Sequence, residues 1–425
     1  MWFTVAWHNS KKIKHIIGIA ICIGLASLVR VTEIISLLIP LMYSVSSFKG
    51  IIAKFHLFRK HFLQLIVFTV IIFTLISFQL IYFKIYAGKF LYNSYGGNAG
   101  EGFEFLRPFF LEVLFSFRKG WIIYTPVILF FIAGLFTNIF NKTQFKNALI
   151  LFFIVDFYFV ASWSCWWYSG SFGQRALIPI IACFCLPFAS LTEWIINRKI
   201  KYLFFAVLLL LSFLNIFQTW QLSENILDSE RMSRAYYSSI FLQTKPATEE
   251  QKKLLLVDRS EYVKDSLNKD ELKKLQLCKT TWLNFENDNK EHNIIDSIAN
   301  SGKRCCVVQG KTNSPEISII YSNISTRSYL WVKAGGFYYI PKIDTSATII
   351  FRITMNHNGY DYGLRRRFNV KTHQKGWHKL EIYWLTPEIR NPSKDLLKVY
   401  IENDSNNPLC VDDIFLMALE PKINE

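Results

Sequence analysis

Acidic side chains are scarce in the first half of this 425-residue sequence. Up to Trp220 the only Asp and Glu are Glu33, Glu101, Glu104, Glu112, Asp156 and Glu193, set against nineteen Lys and Arg, a net charge of +13. The rest of the chain carries the remaining +3 of the +16 total. Charged residues make up 19% of the chain, below the roughly 25% of ordinary soluble domains, while hydrophobic residues reach 51%. A basic excess can mark nucleic-acid binding. Here nearly all of it lies beside apolar runs, so membrane topology explains it better and no nucleic acid is expected. Zinc-site spacing is also missing among the eight cysteines. Adjacent Cys305 and Cys306 would point to opposite faces of a strand, so at most one of them faces a given partner.

Against a need for ~20 residues to cross a bilayer, apolar segments run from about Ile16 to Val29, Ile34 to Val45, Phe62 to Tyr82, Trp121 to Phe140, Ala148 to Val160, Ala176 to Leu191 and Tyr202 to Trp220. The first two are short and split by Arg30 and Glu33, as a broken pair or one bent hairpin. Basic clusters sit at every second junction: around Lys12, from Lys49 to Lys60, at Lys142 and Lys146, and from Arg198 to Lys201. The positive-inside rule places these in the cytoplasm. The loops around Arg118 and Arg175, and everything after Trp220, are then extracytoplasmic, a multi-pass topology in a cytoplasmic (inner) membrane with the C-terminal part periplasmic. Met1 to Trp7 is apolar, too short to span, and followed by its charges rather than preceded by them, which is the reverse of a signal peptide. It reads as the tail of a membrane helix that begins before this chain.

The fold expected is an α-helical multi-spanning membrane domain over residues 1–220, a helical connector over 221–278, and an all-β sandwich over 279–425. In the connector the clearest helical segments are Glu249 to Leu256 and Leu267 to Leu277, and the segment reads as solvated. Beyond it the hydrophobic period changes to two. Short strand-like runs follow at Cys305 to Gln309, Ile317 to Tyr321, Tyr329 to Lys333, Thr348 to Met355, His378 to Trp384, Leu397 to Ile401 and Ile414 to Ala418, separated by turn residues. The opening Trp282–Glu286 and closing Cys410–Phe415 runs resemble the first and last strands of jelly-roll, carbohydrate-binding-module domains. In that group paired acids from the two ends hold a structural calcium, and the resemblance makes Glu286 and Asp413 the matching positions. The alternative is that both are solvent-facing turn acids.

The densest local signal is Trp163-Ser-Cys-Trp-Trp-Tyr-Ser-Gly-Ser-Phe-Gly-Gln-Arg175, which lies between two apolar segments. Trp and Tyr collect where hydrocarbon meets headgroups, glycine lets backbone approach a ligand, and an arginine fork suits phosphate. An aromatic belt with a snorkelling Arg175 would explain much of it. A second loop adds Tyr92 to Gly102, rich in glycine and including Tyr95, then Arg118-Lys119-Gly120-Trp121 at the expected start of a helix, where free N–H groups favour anions. Arg118, Lys119 and Arg175 thus share one membrane face and can hold a lipid phosphate. Tyr95, Trp163, Trp166, Trp167, Tyr168 and Gln174 are the residues expected to face the substrate.

Leu114-Phe-Ser-Phe-Arg-Lys-Gly-Trp-Ile-Ile-Tyr-Thr-Pro126 and Trp166-Trp-Tyr-Ser-Gly-Ser-Phe-Gly-Gln-Arg-Ala176, with Leu28-Val-Arg-Val-Thr-Glu33 upstream, resemble the multi-spanning bacterial GT-C glycosyltransferases related to protein mannosyltransferases. The resemblance covers roughly Trp7 to Trp220. Where relatives would have proline and asparagine near Arg30, this chain has Val31 and Glu33. The resemblance implies transfer of a sugar from a polyprenyl-phosphate carrier to an extracytoplasmic acceptor such as a glycan, with a first-loop acid, usually Asp, as general base or acceptor-positioning group. No Asp precedes Asp156 here, so the expectation is that the catalytic half is lost or supplied by a separate N-terminal polypeptide, and that this chain alone transfers little or no sugar. Glu101, Glu104 and the intramembrane Asp156 are the candidates to substitute; as alternatives, Glu101 and Glu104 are solvated loop acids and Asp156 is structural. Two other readings stand beside the enzyme: a non-catalytic, membrane-anchored carbohydrate-binding protein, and a transporter or lipid flippase, for which no internal repeat is found.

Overall fold

The computed structural model describes the chain except for residues 93–101, 169, 257–262, 287–292, 297, 328, 341–347, 358–359, 370–374, 387–388, 390–391 and 423–425. It forms two compact units that divide after Leu256. Against the expected boundaries at 220 and 278, this division groups the first half of the connector with the helical unit and the second half with the β unit.

The helical unit opens with α1 (Trp2–Ser10) and α2 (Ile13–Val29). Arg30 is extended at φ −151° and stops α2. A 3-10 turn (Val31–Leu37) leads into the short α3 (Leu38–Met42), so the first two apolar segments are a broken pair. Then come α4 (Phe48–Lys60) and the long α5 (Phe62–Ala87), followed by α6 (Phe110–Phe115). The segment expected to span from Trp121 to Phe140 is three short helices, α7 (Trp121–Tyr124), α8 (Ile128–Gly134) and α9 (Asn138–Asn141). Pro126, with no N–H to donate, separates the first pair, and Thr137 starts the last by capping Phe140. α10 (Lys146–Ala161), α11 (Ile178–Ile196) and α12 (Lys201–Ser223) complete the apolar helices. Gly134 of α8 lets α11 approach, since a Cβ there would meet Pro187 O at 2.0 Å.

Among the described residues, three helical stretches are long and apolar enough to cross a membrane: Phe62–Ala87, Arg175–Ile196 and Lys201–Ser223. Their positions coincide with three of the apolar segments read from the sequence. A separate core joins the expected solvated connector to this unit. Ile226, Leu227, Met232, Tyr236 and Ile240 pack with Tyr124, around α13 (Arg234–Ser239) and α14 (Glu249–Lys252).

The second unit contains β1 (Val263–Lys264), α15 (Lys269–Lys273), β2 (Leu275–Leu283), β3 (Ile294–Ile295), β4 (Cys305–Val308), β5 (Ile317–Ile320), β6 (Trp331–Ile340), β7 (Thr348–His357), β8 (Tyr360–Asn369), β9 (Gly376–Leu385), β10 (Leu396–Asn403) and β11 (Leu409–Pro421). A seven-stranded sheet runs β1-β9-β6-β11-β4-β3, with β2 also on β11, and a four-stranded sheet runs β5-β10-β7-β8. All pairings are antiparallel. Alternate residues of both sheets meet in one core, including Val332, Ile382 and Leu416 from the larger and Phe351, Val399 and Ile401 from the smaller. The expected helix over Leu267 to Leu277 gives way to strand after Lys273. Asn268 and Glu271 cap only one short turn, and the following residues pair with β11.

Candidate functional site

The three sequence motifs converge within the helical unit. The break after α2 frees the Arg30 side chain to donate to Ala176 O at 2.8 Å, and its guanidinium lies 5.8 Å from the Tyr168 ring. Arg118 stacks on Trp167 at 3.9 Å and donates through Nε to Glu230 O at 2.9 Å. Lys119 Nζ donates to the carbonyls of Ser171 and Ser229. Backbone bonds stitch the 102–109 segment to the start of the aromatic loop: Ser164 N to Gly102 O at 2.8 Å and Glu104 N to Ser162 O at 2.7 Å. Phe103 and Trp163 form a bridge there and pack edge to face at 5.0 Å.

Within the loop each aromatic has a distinct place. Trp166 is buried in the helical core, where its carbonyl accepts from Gln174 Nε2 at 2.9 Å. Tyr168 adopts φ +50° and donates its hydroxyl to Val160 O at 3.0 Å. Burial and loss of solvation hold that phenol above its ordinary range. Gly173, at φ +49°, allows the chain to turn against Tyr124, where a Cβ would come within 3.0 Å. Trp166, Tyr168 and Gln174 are thereby tied into the packing of the loop itself. Trp167 instead backs the Arg118 guanidinium.

The three expected phosphate-binding cations separate by role. Lys119 is only 1% exposed, and its donors point at Ser171 O, Ser229 O and Ser171 Oγ. It fastens the aromatic loop to the 225–231 segment. Burial pushes its pKa down to about 8; Glu230 opposes this, Arg118 and Arg175 reinforce it, and Asp228 opposes it. Arg175 is exposed, and its guanidinium meets no hydrogen-bonding partner among the described residues. The expected helix N-terminus after Lys119 is the four-residue α7, too short to form an anion site.

A cavity of about 330 Å³ opens beside Lys119, lined by Gly170, Ser171, Asn225, Leu227, Asp228 and Ser229. Asn225, Asp228 and Ser229 were missed because their segment reads as a solvated connector. Apolar anchors on either side, Ile226 and Leu227, are the signal that could have found them. Asp228 uses Oδ1 to accept from Glu230 N at 2.8 Å and Arg231 N at 2.6 Å. Among the candidate catalytic acids, Glu101 lies outside the described residues, as does Tyr95. Glu104 sits on the stitched segment. Asp156 is in α10, 2% exposed, with Oδ2 meeting no hydrogen-bond partner among the described residues, and is not among the residues lining the cavity.

In the β unit Glu286 and Asp413 both grip one loop. Glu286 Oε1 accepts from Lys303 N and Arg304 N, each at 2.8 Å. Asp413 accepts from Asn300 Nδ2 and Ser301 Oγ at 2.8 Å. Asp412, buried behind them, accepts from Asn300 N at 2.9 Å. Donors occupy these oxygens, and among the described residues no group of His, Cys, Asp and Glu is arranged to hold a metal. In this arrangement the acids pin the 300–304 loop. On the face of the larger sheet away from the core, Trp282 pairs with Phe415 at 4.9 Å and Tyr339 with Trp377 at 5.5 Å.

No protein-family model matches the sequence, and no curated protein matches it. Similarity to solved structures falls on the C-terminal part. The CBM22-1 xylan-binding domain from Paenibacillus barcinonensis Xyn10C is 15% identical, with 35% of this chain and 96% of that one covered and a TM-score of 0.24. The CBM22-2 xylan-binding domain of the same protein is 12% identical, with 33% and 91% covered and a TM-score of 0.23. A family 16 carbohydrate-binding module is 14% identical, with 32% and 89% covered and a TM-score of 0.20.

Proposed function

We propose that the helical unit is a membrane-embedded binder of a phosphate-bearing lipid carrier and its sugar, and that it serves transfer of that sugar to an extracytoplasmic acceptor, as the GT-C resemblance implies. The observation that carries this reading is the cavity beside Lys119, with Arg118 and Arg175 near enough to act electrostatically on that ammonium. Arg175 supplies an accessible fork for phosphate, and charge-assisted bonds of this kind are about twice as strong as neutral ones. Ser171 and Asn225 offer hydroxyl and amide groups suited to sugar hydroxyls, and Asp228 adds a carboxylate that can accept from them. Multi-pass insertion, with the aromatic loop and the β unit outside the cytoplasm, belongs to the same proposal; a reporter fused after Glu425 that was active in the cytoplasm would reverse it.

Binding of polyprenyl phosphate and of polyprenyl-phosphate sugar to the purified chain tests the assignment. Arg175→Ala should weaken both, whereas Asp228→Asn should weaken only the sugar-bearing ligand. Parent-like binding of both ligands by both variants would refute the site.

A second reading, a membrane-anchored carbohydrate-binding protein without catalysis, is supported by the aromatic pairs on the outer face of the larger sheet. Trp282 is 51% exposed there, and a ring with one open apolar face can stack on a sugar while polar neighbours take its hydroxyls. Loss of xylan or other glycan binding in Trp282→Ala, with the fold retained, would favour this reading.

A further inference from the structure

The helix α4 presents three different faces. Ser47 begins it by accepting Gly50 N at 3.3 Å, and the N–H of His61 closes it on the carbonyls of Leu57 and Phe58. At 3.6 residues per turn, Gly50, Lys54 and Leu57 share the inward side. Lys54 is buried, donates to Tyr43 O at 2.8 Å and lies 2.6 Å from His8 Nε2; Phe58 packs near Trp7. Phe48, Ile51, Ile52 and Phe55 form a second face and are 76%, 48%, 46% and 67% exposed. Lys49, His56 and Lys60 form the third, while Arg59 falls within the apolar arc at the C-terminal end of the helix.

A bare apolar stripe beside a basic one needs an occupant that is apolar in depth and anionic at its surface. The sequence strengthens the charge argument, since no Asp or Glu occurs between Glu33 and Glu101 to neutralise the basic face. Position strengthens it further. Only His61 separates α4 from α5, the 26-residue helix long enough to cross a bilayer. Two copies of this chain meeting through the stripe would bring their basic margins together, which disfavours a dimer.

We propose that α4 lies in the plane of the membrane interface, with Phe48, Ile51, Ile52 and Phe55 among the outer acyl segments and Lys49, Arg59 and Lys60 against anionic headgroups of the leaflet that α5 enters. This inference rests on the reading of α5 as a membrane span. The leaflet is then the cytoplasmic one, whose anionic lipids attract basic residues near the surface.

The test places a photoreactive benzoylphenylalanine at Phe55 of the full chain, reconstituted in vesicles of equal phosphatidylglycerol and phosphatidylcholine. Lipid adducts are expected, with phosphatidylglycerol favoured roughly threefold or more. That preference should collapse toward equality when Lys49→Gln, Arg59→Gln and Lys60→Gln are combined. The same reagent at Phe73, 65% exposed in the middle of α5, reports on the span, and at Phe58 it should label the chain itself. Lipid adducts at Phe73 with none at Phe55 would overturn the interfacial helix while leaving the span intact. Adducts from Phe55 to a second copy would overturn it as well, and equal capture of the two lipids would overturn the anionic preference. Absence of lipid adducts at both positions would sink the span and this inference together.

Discussion

Phe73 of α5 is 65% exposed and Phe351 of β7 is fully buried, yet each sits in the middle of a long apolar element. The difference recurs across the two units. In the membrane-length helices only 6% of the apolar window of α5 and 11% of that of α12 is buried inside the protein, against 39% for the one that includes α11. In the sandwich, Ile350, Ile353, Leu397, Val399 and Ile401 are all fully buried. A protein in water hides its large apolar side chains from solvent, as the sandwich does. The helical unit leaves whole faces of Phe, Leu and Ile uncovered, which is what a lipid environment permits.

The comparison can be broken most directly by truncating the two phenylalanines. Phe351→Ala should destabilise the sandwich by about 3–5 kcal/mol through lost burial and the cavity left behind, read as a shift in its denaturant midpoint. Phe73→Ala should change stability by less than about 0.5 kcal/mol. Comparable losses at both positions would mean that α5 is covered by protein.

A charge sharpens the same contrast. Leu209, 70% exposed on α12, would tolerate aspartate if it faced water. At the centre of a spanning helix Leu209→Asp should cost about 2.5–3.5 kcal/mol of insertion, measured as the fraction of chains integrated into membranes. Unchanged integration would remove α12 from the set of spans.

Inside the helical unit, Lys119→Ala should cost about 1–3 kcal/mol, because the carbonyls of Ser171 and Ser229 lose their buried donor. Arg175→Ala should leave the melting temperature in place while weakening lipid-phosphate binding. Equal melting temperatures for Lys119→Ala and the parent would return Lys119 to the ligand set.

The smallest effect concerns pH. Burial, opposed by the Thr4 carbonyl and reinforced by Lys54 and Lys11, lowers His8 from 6.5 to about 4. The unfolded chain then binds more protons than the folded one between these values, so stability falls as pH drops from about 6.5 to 4. Thermal melts of the detergent-solubilised protein should show that slope, and His8→Gln should flatten it; a slope unchanged in the variant would assign it elsewhere.

Some elements are legible in the sequence because their patterns are local. Phe62 to Tyr82, Ala176 to Leu191 and Tyr202 to Trp220 lie within the three membrane-length stretches, since sustained hydropathy survives whatever the neighbours do. Alternation locates β4, β5, β7, β9 and β10 to within a few residues. It misses most of β2, whose residues exist as a strand only through pairing with β11, and β8, whose Arg365-Arg-Arg367 run hides the period. The span expected from Trp121 to Phe140 fails at Pro126 and at the close approach of Gly134 to Pro187, which composition averages away.

The candidate site divides in the same way. Residue type alone marks the aromatic loop, Arg118 and Arg175 as candidates, because tryptophan, glycine and arginine are concentrated there between apolar segments. Only the tertiary structure decided that Lys119 is spent on backbone carbonyls, that Asn225, Asp228 and Ser229 wall the cavity, and that Glu286 and Asp413 hold a loop. The physical reason is that hydropathy and charge are carried by each residue, whereas a donor's availability depends on which acceptors the fold brings within reach. Those acceptors are 52 and 110 residues away from Lys119 in sequence.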